Sequence, residues 1–244
     1  MSHLFKYNII KINDVDSTNN HALALKASDV FNEGLVVVSD FQTKGKGQRG
    51  ESWFSERGRN LLASVVVEPN ILIGKQFDIS KIASLAIIDC LLLLGLKSKI
   101  KWPNDILVRR KKVAGVLIQN VISKGVITHS VIGVGLNINQ SSFDDYEPRA
   151  TSLKLELGND YAIEEIQEML LISIQNRIKT YRSGLDMEAE FNTVLFQKDK
   201  ISSFEDAQHK FNGIIRGVNN RGLLVVEAEG KIREFDIKEV KMLF

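Results

Sequence analysis

Three glycines alternate with cationic and polar residues in the segment Gln42–Trp53, which reads Gln-Thr-Lys-Gly-Lys-Gly-Gln-Arg-Gly-Glu-Ser-Trp. Glycine permits unusual backbone dihedrals and a close approach of the backbone to a ligand. Successive N–H groups in such a loop can form an anion-binding concavity, to which lysine and arginine add positive charge. The spacing is not that of a P-loop, because a tryptophan and a predicted strand follow where that motif needs Lys-Ser/Thr and a helix. The segment predicts a loop that binds phosphate or carboxylate oxygens, with a flexible basic surface turn as the alternative.

A lysine, an aromatic residue and a carboxylate surround a proline in the segment Lys101–Asp105. Proline interrupts a strand ladder and fixes the local path of the chain, so the segment is suited to positioning side chains. Lys101 can neutralise a ligand carboxylate and then stabilise the charge that develops on an acyl-phosphate. Asp105 can hold a metal ion or orient Lys112, which follows the basic stretch Arg109–Lys111. The alternatives are a surface ion pair between Lys101 and Asp105 and a solvated hairpin turn at Arg109–Lys111.

A third segment, Val131–Asn139, alternates glycine with aliphatic residues and ends in two asparagines. Glycine in a strand admits a close-lying ring or a neighbouring backbone, and an asparagine amide can pair with the edge of an adenine. The segment is therefore a candidate for nucleotide binding through Asn137, and a tightly packed core strand is the alternative.

Strands and helices in alternation predict an α+β domain around these segments. Runs rich in β-branched residues, separated by turns with glycine or lysine, predict strands of one sheet. These strands are expected at Tyr7–Ile12, Leu35–Ser39, Leu61–Val67, Ile100–Val108, Val113–Val121 and Ile127–Ile138. Three helices are expected: one after the candidate N-caps of Asp14–Asn19 to about Ala27, a buried one at Phe77–Leu96 and an amphipathic one at Ile163–Tyr181.

From Gln197 the pattern changes to short alternating segments joined by Asn-Asn-Arg-Gly and Glu-Gly turns. Strands are expected at Gly213–Gly217, Leu223–Glu227 and Ile232–Ile237. They predict a small β-barrel appended to the larger domain, with the domains divided into residues 1–196 and 197–244.

The composition argues against several classes of protein. The formal net charge of +2 at pH 7 is too balanced for a general nucleic-acid binder. The lone cysteine, Cys90, lies in an apolar run and the four histidines lack metal-ligand spacing, so no disulfide, structural metal site or cysteine nucleophile is expected. No stretch has the length and purity of a membrane span or of a secretory signal, so no membrane association is expected and a cytoplasmic protein is predicted.

Together, the motifs resemble the catalytic domain of biotin–protein ligases. The matching residues are Ser17-Thr18-Asn19, Gln42–Gly50 with Trp53, Lys101–Asp105, Lys112-x-Ala114-Gly115 and Gly133-x-Gly135-x-Asn137. The segment from Gln197 resembles the small C-terminal domain of the same family, so the resemblance covers nearly the whole chain. It implies an SH2-like α+β catalytic domain, with a mixed β-sheet flanked by helices, followed by an SH3-like β-barrel.

The resemblance also implies a reaction and the residues that carry it. Members of the family use ATP with Mg²⁺ to convert biotin to biotinyl-5′-AMP, and transfer biotin to a lysine of a biotin carboxyl carrier protein, without a prosthetic group. The implied biotin-binding residues are Ser17, Thr18, Asn19, Gln42, Gly45, Lys46, Gly47, Gln48, Lys101 and Gly115. The implied ATP- and adenylate-binding residues are Lys46, Gln48, Arg49, Trp53 and Asn137. The implied catalytic residues are Lys101, Asp105, Lys112 and Arg49.

Two features depart from the pattern of some relatives. Many members place an arginine directly after the second Gly-Lys/Arg-Gly unit, where this chain has Gln48 with Arg49 next, so both residues stay candidates for the phosphate contact. Some relatives carry an N-terminal helix-turn-helix domain that binds DNA, but Ser17 already belongs to the catalytic motifs, so a ligase without repressor function is expected. Homodimerisation through a sheet edge stays open.

Two other functions are compatible with the same segments. A lipoate– or octanoate–protein ligase shares the general fold and the adenylate chemistry but binds a different acid. A non-catalytic module could use the basic loops to bind nucleic acid, and its binding would then weaken strongly with salt. The composite of the glycine-rich loop and Lys101–Asp105 favours the biotin branch.

Overall fold

The computed structural model describes residues 5–145 and 147–244, except for the side chain of Arg49. The strands are β1 (Asn8–Val15), β2 (Leu35–Gln42), β3 (Leu61–Val67), β4 (Ile71–Leu72), β5 (Ser98–Lys101), β6 (Asp105–Val108), β7 (Lys111–Ser123), β8 (Val126–Leu136), β9 (Ile201–Asp206), β10 (Lys210–Val218), β11 (Leu224–Ala228), β12 (Lys231–Phe235) and β13 (Val240–Met242). The α-helices are α1 (Thr18–Ala24), α2 (Phe77–Leu93), α3 (Leu153–Leu157), α4 (Ile163–Arg182) and α5 (Glu188–Thr193).

The first eight strands form one mixed sheet. Its order is β1-β2-β3-β8-β7-β6-β5, with β4 paired to β8. Strands β1 and β2 run parallel, whereas the other neighbours are antiparallel. Strand β3 is buried along its whole length because both of its faces are covered, and its sequence is apolar except for Ser64. The prediction of an α+β fold with a mixed sheet and flanking helices is confirmed.

Helices cover both faces of this sheet. Helices α2 and α4 pack together over one face, where α4 buries Ile166, Leu170, Ile174 and Ile178 at intervals of four, as its sequence predicts. Helix α1 covers part of the opposite face and buries Ala22 in a smaller apolar cluster. The beginning of α1 is thereby held against the sheet.

Some predicted boundaries are wrong. The single strand predicted at Ile100–Val108 is two antiparallel strands, β5 and β6, because the chain turns at Trp102–Asn104 around Pro103. Helix α2 ends at Leu93, short of the predicted Leu96, and Gly95 follows with a φ of 78° that favours glycine. Helix α1 ends at Ala24 and is followed by one turn of 3₁₀ helix.

The last five strands form a second sheet in the order β12-β11-β10-β9-β13. The sequence patterns identify β10, β11 and β12 but miss β9 and β13. The described hydrogen-bond ladder is open, with β12 and β13 at its edges, so the structure does not confirm a closed barrel. The indole Nε1 of Trp102 donates to the carbonyl of Gly222 at 2.9 Å, and this buried bond joins the second sheet to the β5–β6 turn. None of the helices in the described part of the chain has the length and apolarity to cross a membrane.

Candidate active site

A cleft of about 530 Å³ lies between the main sheet and the second sheet. The predicted site residues that line it are Ser17, Thr18, Asn19, Gln42, Lys46, Gly47, Gln48, Trp53, Lys101, Asp105, Lys112 and Gly115. These residues come from four separate segments, and Gly133 and Gly135 of a fifth segment also line the cavity. This size suits a small organic ligand.

The start of α1 forms one wall of the cleft through three buried polar residues. The backbone N–H of Thr18 donates to Gln42 Oε1 at 2.8 Å, and its hydroxyl donates to the same atom at 3.0 Å. Asn19 Nδ2 donates to Gln119 Oε1 at 3.0 Å, and Ser64 Oγ donates to Asn19 Oδ1 at 2.6 Å. The side chain of Ser17, predicted as one of the N-caps, makes no capping hydrogen bond. Hydrogen bonds to residues of β2, β3 and β7 thus fix the orientation of Thr18 and Asn19 at this wall.

The glycine-rich loop forms a second wall. It closes on itself through hydrogen bonds from the N–H of Gly47 to the carbonyl of Glu51 at 2.7 Å and from the N–H of Trp53 to the carbonyl of Gly45 at 3.0 Å. A Cβ at Gly45 would overlap the Trp53 carbonyl, so close backbone approach requires glycine there. Gly45 lines a neighbouring pocket rather than the cleft itself.

Lys46 ties this loop to the residues around the start of α1. Its Nζ donates to Asn20 Oδ1 at 2.9 Å, and Asn20 Nδ2 donates to Asp16 Oδ2 at 2.6 Å. The hydrogen bond from Asn20 lowers the pKa of Asp16, and the Ser17 amide and the charge of Lys46 act in the same direction. The loop is therefore anchored over the cleft by a polar chain of three side chains.

Two lysines share one carboxylate at the floor of the cleft. Asp105, at the start of β6, is 8% exposed. Its Oδ1 lies 2.6 Å from Lys112 Nζ and its Oδ2 lies 3.5 Å from Lys101 Nζ. The ion pair between Lys101 and Asp105 that the sequence offered as the alternative is present, but its side chains are only 19% and 11% exposed, so it is not a surface pair. The arrangement leaves one net positive charge in a partly buried place, which favours an anionic ligand.

The indole of Trp53 lies over the glycines of the sheet. A Cβ at Gly115 would lie 3.0 Å from Trp53 Cζ3, and a Cβ at Gly135 would lie 2.8 Å from Nε1 and nearer still to two ring carbons. Lys112 Nζ is 5.3 Å from the indole centroid. The buried indole Nε1 has no hydrogen-bond partner within the described residues. The alternating glycines therefore create a recess in the sheet that holds a flat aromatic ring.

Asn137 and Arg49 complete the set of predicted residues. Asn137 is buried behind the cleft lining, where its Nδ2 donates to the Thr151 carbonyl at 2.9 Å. Its Oδ1 is buried without a hydrogen-bond partner in the part of the chain that the structure describes. The Arg49 side chain lies outside the described residues. Among the predicted residues whose side chains are described, the structure brings all into the cleft except Gly45, which lines a neighbouring pocket, and Asn137, which follows the cleft residue Gly135 by two positions.

The sequence patterns missed the wall that the second sheet contributes. Its residues in the cleft are Ile215, Leu224, Ile237, Lys238, Val240, Lys241 and Met242. Their alternation predicts strands but gives no sign of a ligand, because they reach the cleft only through the docking of one sheet against another.

In the described ranges 5–145 and 147–244, no group of three or more histidine, cysteine, aspartate or glutamate residues could hold a metal ion.

Residues 12–137, more than half of the chain, match the sequence profile of the biotin/lipoate A/B protein ligase family. The chain belongs to this family. A relative in Paracoccus denitrificans named biotin–[acetyl-CoA-carboxylase] ligase is 32% identical over 221 residues, which cover 86% of this chain and 90% of the relative. The bifunctional ligase/repressor BirA of Bacillus subtilis is 25% identical over 240 residues, which cover 94% of this chain and 72% of the relative.

A solved structure of the same family extends this likeness to three dimensions. The biotin protein ligase from Aquifex aeolicus, in complex with biotin and ATP, superposes with a TM-score of 0.78 and 26% sequence identity. The match covers 97% of this chain and 98% of that structure, so it includes the second sheet. The resemblance stated from the motifs is confirmed at the level of the family and of the main fold.

Proposed function

We propose that the protein is a biotin–protein ligase, which adenylates biotin with ATP and transfers the biotinyl group to a lysine of a biotin carboxyl carrier protein. The observation that carries the proposal is the convergence of the five family motifs on one cleft, with Lys101, Asp105 and Lys112 at its floor. The match to biotin–[acetyl-CoA-carboxylase] ligases supports biotin rather than lipoate or octanoate as the acid.

Adenylation brings two anions together, and the lysines of the cleft suit that task. A carboxylate oxygen of biotin attacks the α-phosphorus of ATP, and the bond from that phosphorus to the bridging oxygen breaks, so that pyrophosphate leaves. Mg²⁺ enters as the complex with ATP and screens the phosphates. Lys101 faces the carboxylate of biotin and then the charge that develops on the α-phosphate. Asp105 holds the Lys112 ammonium at 2.6 Å, on the same floor of the cleft as Lys101.

The acid and the nucleotide occupy different parts of the cleft in this proposal. The part-buried amide and hydroxyl groups of Thr18, Asn19 and Gln42 supply donors and acceptors for the polar ring of biotin. The recess over Gly115 and Gly135 accepts the adenine, with Trp53 moving from its place over the glycines to stack on the base. Ser17, Gly45, Lys46 and Gly47 complete the biotin site. Asn137, whose Oδ1 has no hydrogen-bond partner among the described residues, lies next to the adenine.

Two neighbouring residues stay candidates for the phosphate contact. Gln48 lines the cleft, and Arg49 adds a full positive charge at the adjacent position. Arg49→Ala and Gln48→Ala, compared by the rate of adenylate formation, separate the two: the larger loss marks the residue that contacts the phosphate. Unchanged rates in both variants would contradict an anion-binding role of the loop.

Transfer requires no covalent intermediate on the enzyme. The neutral amine of the acceptor lysine attacks the carbonyl carbon of biotinyl-5′-AMP, loses a proton, and the carbon–oxygen bond to AMP breaks. The anchored loop keeps water from the adenylate until the acceptor arrives, because a mixed anhydride hydrolyses readily when exposed. The enzyme therefore binds and orients groups rather than supplying a nucleophile.

The proposal also covers the two domains of the chain, its cellular location and its assembly. We propose that residues 1–196 form an SH2-like catalytic domain and that the second sheet corresponds to the SH3-like domain of the family. The protein then acts in the cytoplasm, where ATP and carboxylase acceptors meet. Pairing of two copies through a sheet edge stays a prediction.

The direct test is transfer to an acceptor. We expect a purified biotin carboxyl carrier domain, incubated with the protein, biotin and MgATP, to gain the mass of one biotinyl group. An acceptor variant with its target lysine changed to arginine serves as the control and should gain none. Failure to modify an acceptor that another biotin ligase does modify would overturn the proposal, and modification with lipoate or octanoate instead would move the protein to the rival branch.

A further inference from the structure

A stack of two aromatic rings lies beside Lys101 at the floor of the cleft. The rings of Phe196 and Phe244 are 5.7 Å apart between centroids and almost parallel, with an interplanar angle of 6°. Lys101 Nζ lies 5.7 Å from the centroid of the Phe244 ring. The guanidinium of Arg110 lies 5.6 Å from the Phe196 ring and 5.3 Å from the Phe244 ring. Two cations thus flank one pair of rings.

Backbone hydrogen bonds hold this stack in place from both sheets. The N–H of Phe196 donates to the Ile100 carbonyl at 2.8 Å, directly before Lys101, and the N–H of Ile100 donates to the Val194 carbonyl at 2.9 Å. On the other side, the N–H of Leu243 donates to the Ser203 carbonyl of β9 at 2.9 Å. The ring of Phe244 is therefore carried by the second sheet but set against a residue of the first.

Lys101 needs a second contact because its carboxylate partner is shared unequally. Asp105 lies 2.6 Å from Lys112 but 3.5 Å from Lys101, which is at the limit of a hydrogen bond. A long lysine side chain held only by so weak a contact keeps much of its rotational freedom. The face of Phe244, within about 6 Å of the ammonium, attracts the cation and narrows its range of positions.

We infer that Phe244 is a positioning residue for adenylation: its ring, stacked on Phe196 and flanked by Arg110, holds the Lys101 ammonium where the biotin carboxylate and the α-phosphate meet. The inference rests on the proposed function. It gives the second sheet, which carries Phe244, a part in the adenylation that Lys101 of the main sheet assists. Since the ring does not contact ATP or biotin in this account, its loss affects the rate of the chemical step more than the binding of either substrate.

The test compares Phe244→Leu with wild type and with two further variants in biotin-dependent release of pyrophosphate. We expect Phe244→Leu to lower kcat about two- to fivefold, the range for one cation–π contact, with the KM values for ATP and biotin nearly unchanged. Phe244→Tyr, which keeps the ring face, should restore kcat. The matched control is Phe211→Leu, since Phe211 also stacks on a neighbour and faces an arginine, at 4.6 Å, within the second sheet but away from the cleft.

A double mutant separates positioning from general loosening of the fold. In single-turnover experiments with Lys101→Ala, adding Phe244→Leu should lower the rate no further, because the two residues act through one contact. A full additional loss in that background, or equal losses from Phe244→Leu and Phe211→Leu, would overturn the inference while leaving the proposed function intact. If wild type releases no pyrophosphate in response to biotin, the proposed function itself fails and this inference fails with it.

Discussion

The carboxylate of Asp105 offers a direct way to perturb the two lysines at the floor of the cleft. Asp105→Asn keeps the shape of the side chain and removes its charge. The wild-type carboxylate is 8% exposed and lies 2.6 Å from Lys112 Nζ and 3.5 Å from Lys101 Nζ. A hydrogen bond to a charged group contributes about 1.5–3 kcal/mol. Since about 1.4 kcal/mol corresponds to a tenfold change in rate, misplacing the lysines should slow adenylation roughly 10- to 150-fold.

The loss should appear in kcat, because the substitution removes the group that positions both lysines but leaves the lysines themselves in the cleft. The assay is pyrophosphate release at saturating biotin and MgATP. Asp78→Asn is the matched control, as it removes a carboxylate that lies 3.0 Å from the buried Lys81 but outside the cleft. Adenylation by Asp105→Asn within twofold of wild type would refute the role given to this carboxylate.

Two further predictions address the recess and the packing of the helices. Gly135→Ala should raise the KM for ATP about tenfold, because a Cβ there would intrude on the recess that Trp53 fills in this structure and that the adenine is proposed to occupy. Gly74→Ala, which has open space around its Cα, is the control and should leave the KM for ATP unchanged. Equal KM values in the two variants would contradict the adenine site. Arg177 donates to Glu190 at 2.6 Å and lowers the pKa of that carboxyl below its usual 4.5, so the stability from this pair is present above pH 4.5 and is lost as the pH falls. The urea midpoint should therefore fall below pH 4.5 in wild type and fall less in Arg177→Met; parallel curves would contradict this.

Local pattern was sufficient for the elements whose burial is periodic or continuous. Strand β3 agrees with its predicted bounds because every residue is buried, and α4 agrees within a residue because its apolar stripe repeats every three to four positions. The turn between β5 and β6 was missed because apolar residues on both sides of Pro103 resemble one strand. The openness of the second sheet could not be predicted, since closure depends on strand pairing between distant residues rather than on alternation.

In the candidate site, too, local motifs predict some residues, whereas other contacts depend on the tertiary fold. Ordered motifs identified the residues of the loop and of the Lys101–Asp105 segment, and a resemblance to a family gave them roles. The glycines of Val131–Asn139 predict room for a close-lying ring, but nothing local identifies that ring as Trp53, because its position over Gly135 depends on how the loop folds back on the sheet. The contact between Phe244 and Lys101 is equally invisible in the sequence, since it forms only when the two sheets dock.

The measurement that tests the central claim most directly is the release of pyrophosphate from MgATP with biotin, with lipoate and with no acid. We predict release that depends on biotin, with little in the other two reactions. Release that depends on lipoate alone would contradict the choice of substrate. No release with either acid, combined with salt-sensitive binding of nucleic acid, would contradict the assignment of a ligase.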